Sequence, residues 1–452
     1  MGQWVKCLAL IPRQENRMAH IHVPDEVSVR HLPSSRRANL LIGALIAVGF
    51  LSFVIRLRVD SEAAWISYIT NWLYFTSVSM GGLLLAVATW ITKAKWNWSI
   101  RRISQSFVAF LPLSFLLMLP MLSLGESYFP WIAMMADDPI VQNKSAYLNM
   151  PFLVVRNLLG FGVLCGVALY FVYLALRPDM GLDEQHSAGT SKRAGAWRAR
   201  LTRNWMGQEK EQIRSYKRMT VIAPAFVIIY AVIMTMLSYD WVMSLEPHWF
   251  STMFGPWFFM GAFWTGIAAT ALWSIYLRTQ HEDFRRYIGL QQRHDIGKLT
   301  FAFCVFWTYL FFSQYIVIWY GKLPWEQAWI IRRSDEIWGG LSGLVILLCF
   351  VIPFAGLLGR KPKTTPIILA FFTTIILVGM WLERYVMLAP SLHHHGDPVF
   401  TIWQPLIGLM FLGLYLGSVR WFLATFPAIQ IWQPMVDPET REAEIPLDYA
   451  VE

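Results

Sequence analysis

Ten long apolar segments constrain this chain more than any other feature of its sequence. Each is long enough to cross a hydrocarbon core of about 30 Å as an α-helix. Because a backbone in lipid must satisfy its own hydrogen bonds, such segments fold as helices. The predicted spans, numbered 1 to 10, cover residues 38–57, 67–92, 103–124, 152–176, 219–245, 252–277, 298–320, 337–359, 366–388 and 399–424. The sequence therefore predicts an all-α membrane protein with ten transmembrane helices.

The composition agrees with a membrane protein. Hydrophobic residues make up 56% of the 452 residues and charged residues only 15%, whereas soluble domains carry about 25% charged residues. The chain also has 23 Trp, 30 Phe and 17 Tyr, and aromatic side chains concentrate at lipid–water interfaces. A soluble protein is therefore excluded.

Basic residues orient the predicted array. Of the 38 Lys and Arg residues, 30 lie in the N-terminal tail, in loops that follow even-numbered spans, or in the C-terminal tail. The positive-inside rule then places both termini in the cytoplasm. The net charge of +9 is thus a topology signal rather than a sign of nucleic-acid binding. The predicted regions are a tail at 1–37, four spans at 38–176, a basic loop at 177–218, six spans at 219–424 and a tail at 425–452.

The basic loop between spans 4 and 5 contributes ten of these cations. We expect it to anchor the topology and to contact anionic lipid headgroups.

The sequence lacks the motifs of a resident redox cofactor. The four cysteines lie far apart, and no C-x-x-C-H, Walker A or G-x-G-x-x-G motif is present. All ten histidines fall in tails, loops or interfaces, so no pair of axial imidazoles faces another inside the bundle. His393, His394 and His395 are interpreted as a polar cap of an outer loop rather than a metal site. The chain is predicted to hold no haem, iron–sulfur cluster or metal.

The stretch "SYDWVMSLEPHWFST" joins spans 5 and 6 at the predicted outer boundary. Asp240 lies about 31 Å along span 5, at 1.5 Å per residue. Pro247, between Glu246 and His248, stops helical continuation. Carboxylates and imidazoles at such a wet mouth can pass protons, or they can form a hydrogen-bonded cap that holds the hairpin. The sequence leaves both interpretations open.

Further charges lie inside or beside the spans, where they are costly and usually functional. Glu383 and Arg384 sit about 26 Å into span 9. Adjacent helical side chains point about 100° apart, so these two need not pair with each other. The partners predicted from the preceding outer loop are Arg332, Arg333, Asp335 and Glu336.

Two more polar side chains are candidates. Arg156 starts span 4 and is expected to snorkel outward or to meet Asp137, Asp138 or Glu126 in the preceding loop. Gln314 lies in the aromatic stripe of span 7, and a buried amide needs a hydrogen-bond partner.

Several stretches resemble the membrane subunits of alternative complex III, a bacterial quinol:acceptor oxidoreductase. They are "WNWSIRR" at 96–102, "KSAYLNMPFLVVRN" at 144–157, "DWVMSLEPHWFSTMFG" at 240–255 and "HDIGKLTFAFCVFWTYLFFSQYIVIWY" at 294–320. The chain is most similar to the ActF-type, NrfD-like (polysulfide-reductase-anchor-like) subunit. The similarity covers roughly residues 70–390.

The resemblance implies two four-helix bundles, spans 2–5 and 6–9, in a multi-pass protein of the bacterial inner membrane. It implies a scaffold with a quinone or menaquinone contact and a proton pathway. The implied proton-pathway residues are Asp240, Glu246, His248, Gln314, Glu383 and Arg156. The implied partners are a paralogous quinol-binding membrane subunit, multihaem and monohaem cytochrome c subunits, an iron–sulfur subunit and lipids. Haem c and iron–sulfur clusters would reside in those partners.

Two positions depart from the family pattern. Gln105 and Gln327 stand where the family often has glutamate, and an amide cannot release a proton near neutral pH.

The sequence leaves two other classes of membrane protein open. A polytopic glycosyltransferase would use Asp60 and Glu62 as outer catalytic acids. A secondary transporter would have broken spans at corresponding positions of two halves.

Overall fold

The computed structural model describes residues 18–22, 27, 30–186, 192–393, 398–434 and 442–446. It contains ten helices long and apolar enough to cross a membrane, which confirms the predicted all-α membrane fold. Spans 1 to 10 are Arg36–Val59, Ser61–Ile91, Arg101–Ser123, Met150–Leu182, Gln208–Leu245, Phe254–Arg278, Leu290–Gly321, Gly339–Leu357, Pro366–Ser391 and Trp403–Thr425. His394, His395 and Asp397 lie outside the described residues.

Shorter elements connect the spans. The short helices are Pro130–Met134, Pro139–Gln142, Lys192–Leu201, Glu282–Tyr287, Pro324–Ser334 and Arg360–Thr364. The strands Met18–His22 and Glu442–Pro446 pair antiparallel, which brings the two terminal segments to the same end of the molecule. We call the opposite end the outer end.

Two spans are irregular. Span 3 alternates α-helix (Arg101–Ser106, Leu111–Met118) with 3₁₀-helix (Phe107–Phe110, Leu119–Ser123). Span 8 contains a π-helical stretch, Leu347–Val351, just before Pro353. Prolines explain both, because each removes a backbone donor and clashes with the preceding turn.

Spans 2 and 6 form the centre of the molecule. They pack on each other, span 2 also contacts spans 5, 9 and 10, and span 6 contacts spans 5, 7 and 9. In the most apolar 18-residue stretch of span 2, 89% is buried, compared with 17% in the corresponding stretch of span 1. Span 1 packs mainly on span 10. The most apolar stretch of span 10 is 61% buried, so span 1 is peripheral, whereas the prediction of span 10 as a second peripheral helix was wrong.

Glycine allows the two central helices to touch through their backbones. A Cβ atom added at Gly81 would overlap the carbonyl group of Ala262, and one at Gly266 would overlap the backbone of Gly81 and Gly82. Close backbone approach at small residues is a main source of helix association in lipid, where burial of apolar surface gives no advantage.

We predict that Gly266→Ala lowers the unfolding free energy by about 1–3 kcal/mol, because the added methyl group overpacks a backbone contact. Thermal unfolding of the purified protein in detergent measures the change. Gly166→Ala in span 4 is the matched control, since its Cβ would meet no atom within 4 Å. Equal melting of the two variants would contradict the close contact.

Candidate functional site

Asp240 lies fully buried at the outer end of span 5, and its carboxylate is saturated with hydrogen bonds. The Arg156 guanidinium of span 4 donates to both oxygens, from Nε to Oδ2 at 2.9 Å and from Nη2 to Oδ1 at 2.6 Å. Tyr147 Oη and Asn157 Nδ2 donate at 2.9 and 2.7 Å. This arrangement ties span 4 to span 5, whereas the cap interpretation concerned the hairpin of spans 5 and 6.

Arg156 therefore pairs with Asp240, and the prediction that it snorkels or meets Asp137, Asp138 or Glu126 was wrong. Its guanidinium also lies 3.9 Å from the centre of the Tyr147 ring. Burial, together with the Asp240 charge, raises the pKa of Tyr147. The buried Asp240 carboxylate lies on the neighbouring span 5. A buried guanidinium is stabilised more by such a carboxylate than by a loop acid in water.

Glu246 occupies a second ion-paired cluster, on the side of spans 6–9. Arg333, from the helix Pro324–Ser334, donates to its Oε1 at 3.1 Å, and Ser391 Oγ donates to the same oxygen at 2.6 Å. Arg332 lies 3.4 Å from it. Burial lowers the pKa of Arg333 to about 10, although the Glu246 charge opposes that shift.

Arg333 also contacts span 9 and an aromatic ring. Its Nε and Nη2 donate to the carbonyl oxygens of Val386 and Met387 in span 9, at 3.1 and 2.6 Å. Its guanidinium lies 3.7 Å from the centre of the Trp329 ring. This arginine joins the outer helix to span 9.

His248 pairs with Asp138 at the surface, with 2.5 Å between Nε2 and Oδ2. Burial raises the pKa of Asp138, but the bonds from His248 and from the Ile140 and Val141 N–H groups outweigh it, and the net pKa is lowered. His248, Glu246 and Arg332 line one groove of about 660 Å³ at the outer surface.

Glu383 and Arg384 form an ion pair with each other. Arg384 Nη1 donates to Glu383 Oε2 at 2.7 Å, and its Nη2 donates to the Phe258 carbonyl oxygen at 3.0 Å. Both side chains are almost completely buried. The Cα–Cβ bonds of these two neighbours point in different directions, but both side chains are long enough for their charged ends to meet. Because both groups are buried, water does not compete for their hydrogen bonds.

A cavity of about 380 Å³ opens beside this pair in the outer half of spans 6 to 9. Its wall is mostly aromatic and aliphatic, with Gln314, Glu383 and Arg333 as its charged or amide members. Gln314 Oε1 has no hydrogen-bond partner among the described residues. Glu383 Oε1 has none of full geometry, but Trp307 interacts with this carboxylate. The aromatic stripe of span 7 thus contributes both to packing and to a cavity.

Arg333 separates the cavity from the surface groove. It lines the cavity, while its partners Glu246 and Ser391 line the groove. Arg333 therefore pairs with Glu246 and lines the same cavity as Glu383.

Sequence reasoning did not identify several members of these clusters. Arg333 was named only as a partner for Glu383, and Ser391, Tyr147 and Asn157 were not named. Tyr147 and Asn157 lie in the stretch at 144–157 that carries the family resemblance, which was an available signal. Ser391 carried no signal, because a serine after a span is common.

A further buried charge cluster lies at the end near the termini. Asp179 accepts hydrogen bonds from Arg102 at 2.9 Å and from the N–H groups of Ile431 and Trp432 at 3.0 and 3.2 Å. Arg30 lies 3.0 Å from it. This cluster fixes both terminal segments to span 4.

The two candidate acids of the glycosyltransferase alternative, Asp60 and Glu62, lie at the start of span 2. Asp60 caps span 2 by accepting from the Ala63 N–H at 3.0 Å and pairs with Arg56 at 2.6 Å. Glu62 follows in the first turn of span 2. Nothing in this geometry favours that alternative.

No family model matches the chain, and no curated protein matches it significantly. The resemblance to alternative complex III therefore stays a prediction. Among the described residues, no group of three or more His, Cys, Asp or Glu side chains could hold a metal ion.

We predict that Asp240→Asn lowers the unfolding free energy by about 3–5 kcal/mol, because Arg156 is left buried without a counter-charge. Asp60→Asn is the control, since the Asp60 side chain is 39% exposed, exposed pairs contribute about 1 kcal/mol or less, and Asn also caps helices well. Thermal unfolding in detergent compares the two. An Asp240→Asn protein as stable as the parent would overturn the structural assignment.

Proposed function

We propose that the chain is an integral membrane subunit of a quinol-oxidising complex that passes electrons to cytochrome c or another acceptor. In this proposal the protein provides a scaffold and carries protons to the outer side of a bacterial inner membrane. The electrons travel through haem c and iron–sulfur clusters of partner subunits. The partners would be a paralogous quinol-binding membrane subunit, cytochrome c subunits and an iron–sulfur subunit.

One observation carries the proposal: two carboxylates flank Arg333 in the outer half of spans 6 to 9. Glu383 faces a cavity inside the bundle and has one oxygen without a full hydrogen bond. Glu246 lines a groove at the outer surface. A buried acid followed by a surface acid is the arrangement that proton release requires. Asp240 and Arg156 would stabilise the fold, since their groups are fully engaged.

Purification from its native membrane in mild detergent tests the assembly. We expect the tagged chain to copurify with several polypeptides and with the absorbance of haem c. A chain that purifies alone at full yield would contradict the proposal and would favour a transporter or a lone enzyme.

Glu246→Gln tests the proton role. Glutamine keeps the size and the acceptor oxygen but cannot bind and release a proton near neutral pH, so we expect fewer protons released outward per electron in reconstituted vesicles. Glu126→Gln is the control, because Glu126 is an exposed acid of another outer loop. With assembly and melting unchanged, an unaltered proton-to-electron ratio would show that Glu246 carries no protons.

A further inference from the structure

A narrow groove of about 450 Å³ lies between spans 2, 6, 9 and 10. Along span 10 it covers residues 405–416, about 16 Å at 1.5 Å per residue. Its wall is mostly aliphatic and aromatic. The polar side chains on its span 2 side are engaged, because Asn71 Oδ1 accepts from Trp381 Nε1 and Tyr74 Oη donates to the Leu377 carbonyl oxygen.

The groove is open on the membrane-facing side of the molecule. Thr374 and Val378 of span 9 form its exposed edge, and Val378 is 51% exposed. Leu409, Leu412 and Leu416 of span 10 form a partly buried wall. At these depths spans 9 and 10 lie in the hydrocarbon core. The occupant that enters from this side is therefore either a lipid chain or another transmembrane helix.

The dimensions of the groove exclude a helix. A helix with its side chains is about 10 Å across, so a length of about 16 Å would need roughly 1,250 Å³, whereas the groove offers about 450 Å³. A length of about 16 Å is also roughly half of the 30 Å hydrocarbon core, which is the depth of one leaflet. The groove thus matches a single acyl chain.

A buried arginine lies one helical turn beyond the groove, toward the end near the termini. Arg420 follows the groove residue Leu416 by four positions and is only 8% exposed. Its Nη1 donates to Tyr276 Oη of span 6, and its Nε has no hydrogen-bond partner among the described residues. The described part of the chain offers this guanidinium no carboxylate within ion-pair distance. A buried charge without a counter-charge is costly, so we expect an anion beside Arg420.

A tyrosine hydroxyl in the groove also lacks an acceptor. Tyr415 lines the groove, is 4% exposed, and has no hydrogen bond of full geometry at its Oη. Trp273 interacts with this hydroxyl, but an indole N–H can only donate, so the Tyr415 proton remains without an acceptor. Tyr415 lies about 8 Å along the helix from Arg420, at 1.5 Å per residue. A carbonyl oxygen at that depth would accept the proton.

These three requirements describe the parts of one molecule. A phospholipid has an anionic phosphate, ester carbonyls a few bonds away from it, and apolar chains that continue from the esters. Arginine suits the phosphate, because its planar guanidinium presents several donors to the phosphate oxygens. Arg420 is also at the right depth, since it lies about 8 Å from the end of span 10, where arginine side chains reach head groups.

We infer that this groove binds a phospholipid of the leaflet at the end near the termini. Its phosphate contacts Arg420 and Tyr276, an ester carbonyl accepts from Tyr415, and one acyl chain fills the groove. The site lies outside the basic loop at 177–218 and shares no lining residue with the cavity beside Glu383. The inference is therefore independent of the proposed function. A lipid in this position joins span 10 to spans 6 and 9.

Photolabelling of the purified full-length chain tests the site, in maltoside detergent after removal of copurified lipid. The probe is phosphatidylglycerol with a diazirine at the end of one acyl chain, and peptide mapping locates the label. We expect saturable labelling near Trp381 and Pro405, at the far end of the groove from Arg420. A diacylglycerol with the same chains, which lacks the phosphate, should bind at least tenfold more weakly. Glycerol phosphate, which lacks the chains, should not displace the probe.

Two variants test the polar contacts. Arg420→Gln should weaken binding of the probe roughly tenfold, the usual effect of one lost hydrogen bond to a charged group. Tyr415→Phe removes only the hydroxyl and should weaken binding about fivefold. Arg218→Gln is the matched control, because Arg218 also donates to a tyrosine hydroxyl, that of Tyr170 at 3.1 Å, but is exposed and does not line the groove. Its affinity should equal that of the parent.

Melting temperatures show whether each variant is folded, and Tyr415→Phe carries the test if Arg420→Gln does not fold. Parental affinity in the folded variants, or a label outside the groove, would overturn the inference. Diacylglycerol that binds as well as the probe would reveal a chain groove without a phosphate site. Full displacement by glycerol phosphate would reveal a phosphate site without a lipid groove. Either of these two results would also refute a phospholipid site.

Discussion

Backbone contact between spans 2 and 6 is the interaction on which the rest of the structure depends. In lipid, helices gain little from burying apolar surface, so close packing at small residues must hold the bundle. Gly81, Gly82 and Gly266 provide it. Span 2 then positions span 9 through hydrogen bonds from Tyr74 Oη to the Leu377 carbonyl and from Trp381 Nε1 to Asn71 Oδ1, at 2.8 and 2.9 Å. The cavity beside Glu383 is built on that placement.

The buried acids differ in how completely they are satisfied, and this difference separates structural from functional candidates. Asp240 and Asp179 accept hydrogen bonds at both oxygens from arginines and other donors. Protonating either would break a network, which costs several kcal/mol. Glu383 has one oxygen paired with Arg384 and the other facing a cavity. Only the last arrangement leaves room for a ligand or a proton.

The fold was predictable because bilayer thickness fixes the length of each span, and all ten predicted spans have a counterpart in the structure. The end of the span 5 helix before Glu246 was also predictable, because Pro247 marks it. The pairing of charges was not. Arg156 meets Asp240, 84 residues further along the chain, and Arg333 meets Glu246, from which it is separated by 87 residues. Which helices become neighbours depends on the glycine contact between spans 2 and 6. Hydropathy carries no information about that contact.

The end near the termini bears on the direction of any proton movement. Gln105, where the resembled family often has glutamate, accepts from Arg102 Nη1 at 2.7 Å, and Arg102 also binds the saturated Asp179. An amide cannot take up or release a proton near neutral pH, and both oxygens of the Asp179 carboxylate already accept hydrogen bonds. Glu383 and Glu246 lie at the other end of the bundle, next to the cavity and the outer groove. Under the proposed function, the acids that serve proton release would therefore be those at the outer end rather than those at the end near the termini.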